Sequence, residues 1–389
     1  MSRLSNKSVY QQEVGVLANT SFLGHFSELP DPRLDRQKYH GLSDILFIAV
    51  CAVICGATSF VDMEDFGNAK IDWFSERLDL PNGIPSHDTF GRVFSLIDPD
   101  AFRNCFINWT QAISETVGGD IIAFDGKTLR HSFDTATGMS AIHVMNAWSN
   151  ANDFCVGQMK VDGKSNEITA MPALMKLMDI KGSVVTTDAL NCQKEIAEQI
   201  VDSGGDYVLA LKGNHQLLYE DTKLFFEDAT RDGFEVAYGF RETDDWDHGR
   251  VEKRKYWSVG VDQLDFLRNK EEWKGLRSIA CVKSTRRTRE GESVEMRYFI
   301  SSLDNITRIA RSIRHHWNVE NKLHWVMDVD FEEDACRVRT DHAPENFALL
   351  RQIAHNLIKK ESSKKVSVRR KINKAGWDND FLARILAGI

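Results

Sequence analysis

A chain of 389 residues, 42% hydrophobic and 27% charged with a formal net charge of −8, is long enough to bury a sizeable core and form two or three units. Its seven cysteines are odd in number and scattered without zinc-finger spacing, which excludes a disulfide framework and points to reduced thiols in the cytosol. The longest apolar run, residues 45–57, has 13 residues, too few for the roughly 20 of a membrane span and too late in the chain for a signal peptide.

Residues 1–20 are polar and read as a loose arm. Residues 21–116 read as helical. The run around 42–57 is apolar on nearly all faces, as in a helix in the middle of a bundle. The turn at residues 80–83 precedes SHDTFGRVFSLI, in which Ser86 is a good N-cap and Asp88 sits where the helix dipole favours it. This second helix, carrying Ser86 and Arg92, fits either a DNA-reading helix-turn-helix or an ordinary helical hairpin.

From Asp120 the rhythm changes. DIIAFDGKTLR opens on a short buried strand that the spacing predicts to end on Asp125, with Gly126 as the breaker. Strands at 142–149 and 154–161 follow, then a helix at 167–178. A strand at 183–187 ends on Asp188, a helix covers 192–203, and a fifth strand covers 207–211. Three antiparallel strands followed by alternating helices and strands predict a mixed α/β sheet with helices on its faces. Residues 234–302 read mainly as strands and form a β-rich insertion. A long helical stretch at 305–326 carries Glu320, and a last long helix covers 344–360.

The charge is uneven. Residues 359–374 hold eight Lys or Arg against one Glu, and residues 283–289, which include Arg286 and Arg287, hold four against none. Such runs fit either DNA contact or solvated faces.

Three carboxylates stand out by position: Asp125 and Asp188 at strand ends, and Glu320 in the long helix. Strand ends of an open α/β sheet line one crevice, so the two Asp can share a site. Three converging carboxylates repel one another unless cations neutralise them, and hard oxygen ligands suit Mg²⁺ or Mn²⁺. Two such ions about 3.5–4 Å apart serve an in-line phosphoryl displacement.

Other residues keep two readings. Lys127 either holds a DNA phosphate or screens Asp125. Arg250 and Arg254 alternate along a strand with Glu252, as a phosphate stripe or a set of cross-strand ion pairs. Lys212 and Asn214 follow the fifth strand at the same sheet edge as the two Asp. The acidic run FEEDAC reads as a solvated loop. Trp317 and Trp325 read as core anchors of the Glu320 helix.

Across nearly its whole length the chain resembles the DDE transposases, in particular the H-repeat-associated group. The resemblance rests on DPRLDRQKYHGLSDILFIAVCAVICGA, IPSHDTFGRVF, AFDGKTLR, KSNEITAMPALM, TTDALNCQ, DYVLALKGNH, HGRVEKR and HHWNVENKLHWVMDVDFEED, in this order. It implies a ribonuclease H-like catalytic domain, with Asp125, Asp188 and Glu320 as the family's D, D and E. It also implies two Mg²⁺ (or Mn²⁺) ions per site, double-stranded DNA as partner, a homodimer in the DNA complex, and a cytoplasmic, nucleoid-associated protein. Lys127, Arg130, Lys212, Arg250, Arg254, Arg286, Arg287, His316, Ser86 and Arg92 are the expected DNA contacts. The implied division is an arm (1–20), a helical DNA-binding domain (21–116), a catalytic domain (117–212 and 303–358) split by the insertion (213–302), and a basic tail (359–389). A better-known branch carries Tyr seven residues before the Glu, Arg four before and Lys seven after; here Ile313, His316 and Met327 stand there. His316 would then make the phosphate contact of that Arg, less strongly because imidazole is mostly neutral at pH 7. The implied activity is cleavage at transposon ends and strand transfer into target DNA. A nuclease that only hydrolyses and a non-catalytic element-end binder are the competing readings.

Overall fold

In a computed structural model of the chain, residues 22–35, 38–115, 117–133, 138, 140–161, 167–247, 250–288 and 291–387 are described. The chain begins with helices α1 (Phe22–Phe26), α2 (Leu42–Ile54), α3 (Phe60–Ala69), α4 (Ile71–Ser75), α5 (His87–Leu96) and α6 (Pro99–Ile113). Their starts follow local chemistry. Ser59 and Asp62 form a reciprocal capping box on α3, Ser86 accepts the Thr89 N–H of α5, and Asp98 caps α6 ahead of Pro99. α2 buries Ile45, Leu46 and every residue from 48 to 54, as its all-round apolarity requires.

A nine-stranded sheet follows: β1 (Ile121–Thr128), β2 (His143–Ser149), β3 (Phe154–Val161), β4 (Val184–Thr187), β5 (Asp206–Leu211), β6 (Tyr238–Asp247), β7 (Arg250–Gly260), β8 (Ser278–Thr288) and β9 (Gly291–Ser301), in the order β3-β2-β1-β4-β5-β9-β8-β7-β6. Helices α7 (Glu167–Lys176), α8 (Lys194–Asp202) and α9 (Gln216–Asp232) connect β3 to β4, β4 to β5 and β5 to β6. β1, β4 and β5 are parallel to one another, and β2, β3 and β9 are antiparallel to their neighbours. The four strands read as an insertion therefore continue the same sheet, through the pairing of β9 with β5.

One expectation fails here. β1 does not stop at Asp125, because Gly126, Lys127 and Thr128 keep pairing with Met145, Val144 and His143 of β2. Only the β4 side ends early, with Ala123 against Thr186. Asp125 is thus paired on one side and open on the other. Its register, carried two residues further, sets it level with Asp188.

The Glu320 region is also not one regular helix. α10 (Ile306–His316) gives way to a π-helical turn, Val319–His324, and then to α11 (Trp325–Val329). Such wide turns concentrate at functional sites. Trp317 (46%) and Trp325 (56%) are exposed on either side of this turn, which corrects their reading as core anchors.

α12 (Ala343–Lys360) is buried along nearly its whole length and packs against α2, α5, α6 and β3. One apolar cluster joins Phe22 and Trp109 of the helical region, Phe124 of β1 and Leu350 of α12. The last residues are two docked helices, α13 (Val368–Trp377) and α14 (Asn379–Ala387), with Ile372, Phe381, Leu382 and Ile385 in that core. Several of their neighbouring cations are used internally. Lys371 is buried and donates to the Ile358 carbonyl, Arg369 meets Asp330, and Lys359 meets Asp153, while Lys364, Lys365 and Arg370 stay exposed.

Candidate active site

Asp125, Asp188 and Glu320 reach one cavity of about 550 Å³ from three elements: the middle of β1, the end of β4 and the π-helical turn. Lys212, Arg297, His316 and Trp317 line it too. Among the described residues no Lys or Arg forms an ion pair with any of the three carboxylates. Burial, together with the charges of Asp188 and Glu320 and against the pull of His324, pushes the Asp125 carboxyl up to about 6. The hydrogen bond from His324 holds Glu320 below the usual carboxylate range.

Each acidic group has its own support. Asp188 Oδ1 accepts the Asn191 N–H at 3.2 Å and its amide Nδ2 at 3.1 Å, a turn the Asp side chain closes on itself. Asn191 Nδ2 also lies 3.3 Å from Glu167 Oε2, and Glu167 Oε1 lies 2.5 Å from His143 Nε2. That buried pair explains Gly126. A Cβ there would stand 2.6 Å from His143 Nε2 and 2.7 Å from Glu167 Oε1, so the residue after Asp125 has no room for a side chain. Glu320 Oε2 lies 3.0 Å from His324 Nδ1, and His324 Nδ1 lies 3.6 Å from Asp125 Oδ2.

The site fits a divalent cation. Asp125, Glu320 and His324 each offer an atom within 4.8 Å of the others, Asp188 faces the same space, and the carboxylates supply hard oxygens that no Lys or Arg among the described residues pairs.

The expected DNA contacts separate into groups. Lys212 lines the acidic cavity. His316 lines it as well, Nδ1 at 3.1 Å from Thr186 Oγ1; burial and the nearby Arg297 push its pKa down to about 4, so the ring is neutral. Lys127 is buried between Asp328 at 2.5 Å and Glu333 at 2.6 Å. Its ammonium is the counter-ion of two acidic groups, a placement that competes with a phosphate contact. Glu333 is itself 3% exposed, so the FEEDAC run is not simply a solvated loop. Arg254 is buried against Asp245 of β6, the cross-strand alternative, and against Glu252 of its own strand. The Arg250 side chain and His248 lie outside the described residues. Arg130 is exposed, 3.2 Å from Asp334. Arg286 and Arg287 are exposed on β8, Arg287 against Glu292. Ser86 is spent on capping, and Arg92 is exposed on α5 beside a small cavity lined by Arg33, Tyr39 and Asn82.

Sequence reading gave no role to Arg297, Asn146, Asn191 or Glu167. Arg297 lies on β9 and enters through the pairing of that strand with β5. Glu167 lies in the quoted string KSNEITAMPALM, a signal of interest without a mechanism until the fold brings it to Asn191.

The chain also matches known proteins. Residues 117–357 match the family model described as a transposase DDE domain, and residues 23–110 match its associated N-terminal model, DDE_Tnp_1-associated. The chain therefore belongs to the DDE transposase family. It is 42% identical over 373 residues to the "H repeat-associated putative transposase YhhI" of Escherichia coli (strain K12), across 94% of this chain and 97% of that one. It is 41% identical over 376 residues to the "Putative transposase YncI" of Escherichia coli O157:H7, across 94% of each. A chain in the cryo-EM structure of the piggyBac transposase synaptic complex with hairpin DNA is similar at a TM-score of 0.40 and 12% identity, covering 96% of this chain and 80% of that one. The family implies dependence on a divalent metal. No helix among the described residues is long and apolar enough to cross a membrane.

Proposed function

We propose that this transposase cleaves DNA at the ends of its element and joins the freed 3′-hydroxyl to target DNA, with Asp125, Asp188 and Glu320 holding two Mg²⁺ (or Mn²⁺) ions. The carrying observation is that three carboxylates from separate elements converge, without a Lys or Arg ion pair among the described residues, on one cavity that also presents Lys212 and Arg297. Bound ions would activate the attacking hydroxyl and stabilise the leaving 3′ oxygen. The chain's own part is to fix the carboxylates through Asn191 and His324, and to offer Lys212 and Arg297 to the phosphates. Neutral His316, bonded to Thr186, would orient rather than neutralise. The order β3-β2-β1-β4-β5, with β1, β4 and β5 parallel, supports a ribonuclease H-like catalytic unit over 117–212 and 303–358, with 213–302 as its insertion.

The helical region 21–116 would recognise element ends, with α5 and its exposed Arg92 as reader, and Arg130, Arg286 and Arg287 would meet the DNA backbone. A homodimer bridging two double-stranded ends, in the cytoplasm and on the nucleoid, completes the reading. The test is incubation of purified protein with labelled DNA carrying the inverted repeats that bound its gene, Mg²⁺ and a plasmid target. Joined products linked through the 3′ end of the element support the proposal. Hydrolysis without joining would leave a nuclease.

A further inference from the structure

Trp317 ends α10, just before the π-helical turn that carries Glu320, and lines the same cavity. It stays 46% exposed, forgoing the burial that usually holds so large a side chain. Its ring meets Arg297 of β9, whose guanidinium carbon lies 5.5 Å from the ring centre. Arg297 is placed by the end of a ladder. β9 pairs with β5 only from Tyr298 to Ser301, so Arg297 stands just beyond the last pair, Leu211 with Tyr298. There it lines the cavity together with Lys212, the residue that leaves β5.

A guanidinium has about five N–H donors and no acceptor. Among the described residues no hydrogen bond takes any of those of Arg297, and its Nε is buried. Its ion pair with Glu295 is stretched to 4.0 Å. The side chain is only 23% exposed, and buried donors without acceptors cost free energy. Asp125, Asp188 and Glu320 line the same cavity, yet among the described residues none of them pairs with this cation. An aromatic face accounts for both observations. It attracts the cation through its π electrons and uses no N–H, so the guanidinium is held while its donors stay free. A planar cation with free donors matches the paired oxygens of a phosphate.

We propose that Trp317 is a positioning residue for Arg297: its indole face holds the guanidinium clear of the three carboxylates, with its donors free for one backbone phosphate of the DNA in the cavity. This rests on the reading of Asp125, Asp188 and Glu320 as the cutting site. Arg297 touches the DNA, and Trp317 acts through Arg297. The exposure of Trp317 is then the consequence of a surface kept for a cation and not for the core.

The experiment measures binding of the full-length protein, in EDTA, to labelled element-end DNA in which single phosphates around the cut are replaced in turn by neutral methylphosphonates. Arg297→Gln should weaken binding of the unmodified end by about 10–100-fold, the size of a charge-assisted hydrogen bond. It should cost almost nothing further when one particular phosphate is already neutral. Trp317→Ala should weaken binding by about 2–30-fold and lose its effect at that same phosphate. Trp317→Phe, which keeps an aromatic face, should recover most of the affinity. Trp317→Leu, apolar but without a ring, takes the place of Trp317→Ala should that variant not fold. Losses that are equal at every methylphosphonate position, or that point to different phosphates for Arg297 and Trp317, would overturn the proposal and leave the carboxylate site standing. Nicking of the unmodified end in Mg²⁺ by Asp125→Ala would instead remove the carboxylate site, and the proposal with it.

Discussion

Asp125→Asn should make the ion-free protein more stable while removing its activity. The carboxyl is displaced from 3.8 to about 6, by burial first and then by the neighbouring acidic charges. Ionising it in the folded state costs about 3 kcal/mol at about 1.4 kcal/mol per pH unit. The side chain is 25% exposed, so solvent screens part of this cost. About 1–3 kcal/mol is the expected gain for the amide at pH 8. The sign is set by proton binding. Between 3.8 and about 6 the folded chain holds a proton that the unfolded chain has released, so stability falls as pH rises through that window and the full cost stands above it. The advantage of the amide should shrink to about a third by pH 4.5. Urea unfolding in EDTA at both pH values measures this. Adding Mg²⁺ at pH 8 should then stabilise the wild type more than the variant, because the ion binds the folded state. A variant no more stable than wild type at pH 8 in EDTA would refute the picture of an uncompensated acidic cluster.

Three further outcomes follow from the same geometry. Gly126→Ala drives a Cβ into the His143–Glu167 pair and should cost about 1–3 kcal/mol by overpacking; in urea unfolding, His143→Ala in the same chain should relieve part of that cost, a coupling of about 0.5–3 kcal/mol. Lys127→Met leaves Glu333 buried without its counter-ion and should lower unfolding free energy by roughly 3 kcal/mol, the partly exposed Asp328 keeping the loss at the low end for a buried pair. Changing the exposed Lys364, Lys365 and Arg370 together to Gln should flatten the slope of log DNA affinity against log salt by about 1–3 if they touch phosphate, and leave it unchanged if they are only solvated.

The elements were legible where period and punctuation agreed. β3 runs over residues 154–161 as predicted, and Ser86 caps α5 because a hydroxyl before a free N–H has one good use. Asp125 and Asp188 drew notice because each follows a short buried apolar run, though only Asp188 lies at a strand end. What the sequence hid was long-range pairing. Gly126 reads as a breaker, yet it continues β1, its lack of a Cβ serving the His143–Glu167 pair instead. Lys127 reads as a phosphate contact because its partners, Asp328 and Glu333, lie some 200 residues away. Trp317 and Trp325 read as core anchors because large aromatics usually bury, yet both are exposed beside the π-helical turn. The basic C-terminal segment reads as a tail because its charge masks Ile372, Phe381 and Ile385, which dock it on the core.

The central claim is that Asp125, Asp188 and Glu320 form one metal-dependent cutting site. It is tested most directly by nicking of labelled element-end DNA in Mg²⁺ by the wild type and by Asp125→Ala, Asp188→Ala and Glu320→Ala, with end binding measured on the same samples. Each variant should bind ends at least as well as wild type, since a negative charge facing phosphate is gone, and should fail to nick. Wild-type nicking by any one of the three would contradict that residue's place in the site, and wild-type nicking in EDTA would contradict the site as a whole.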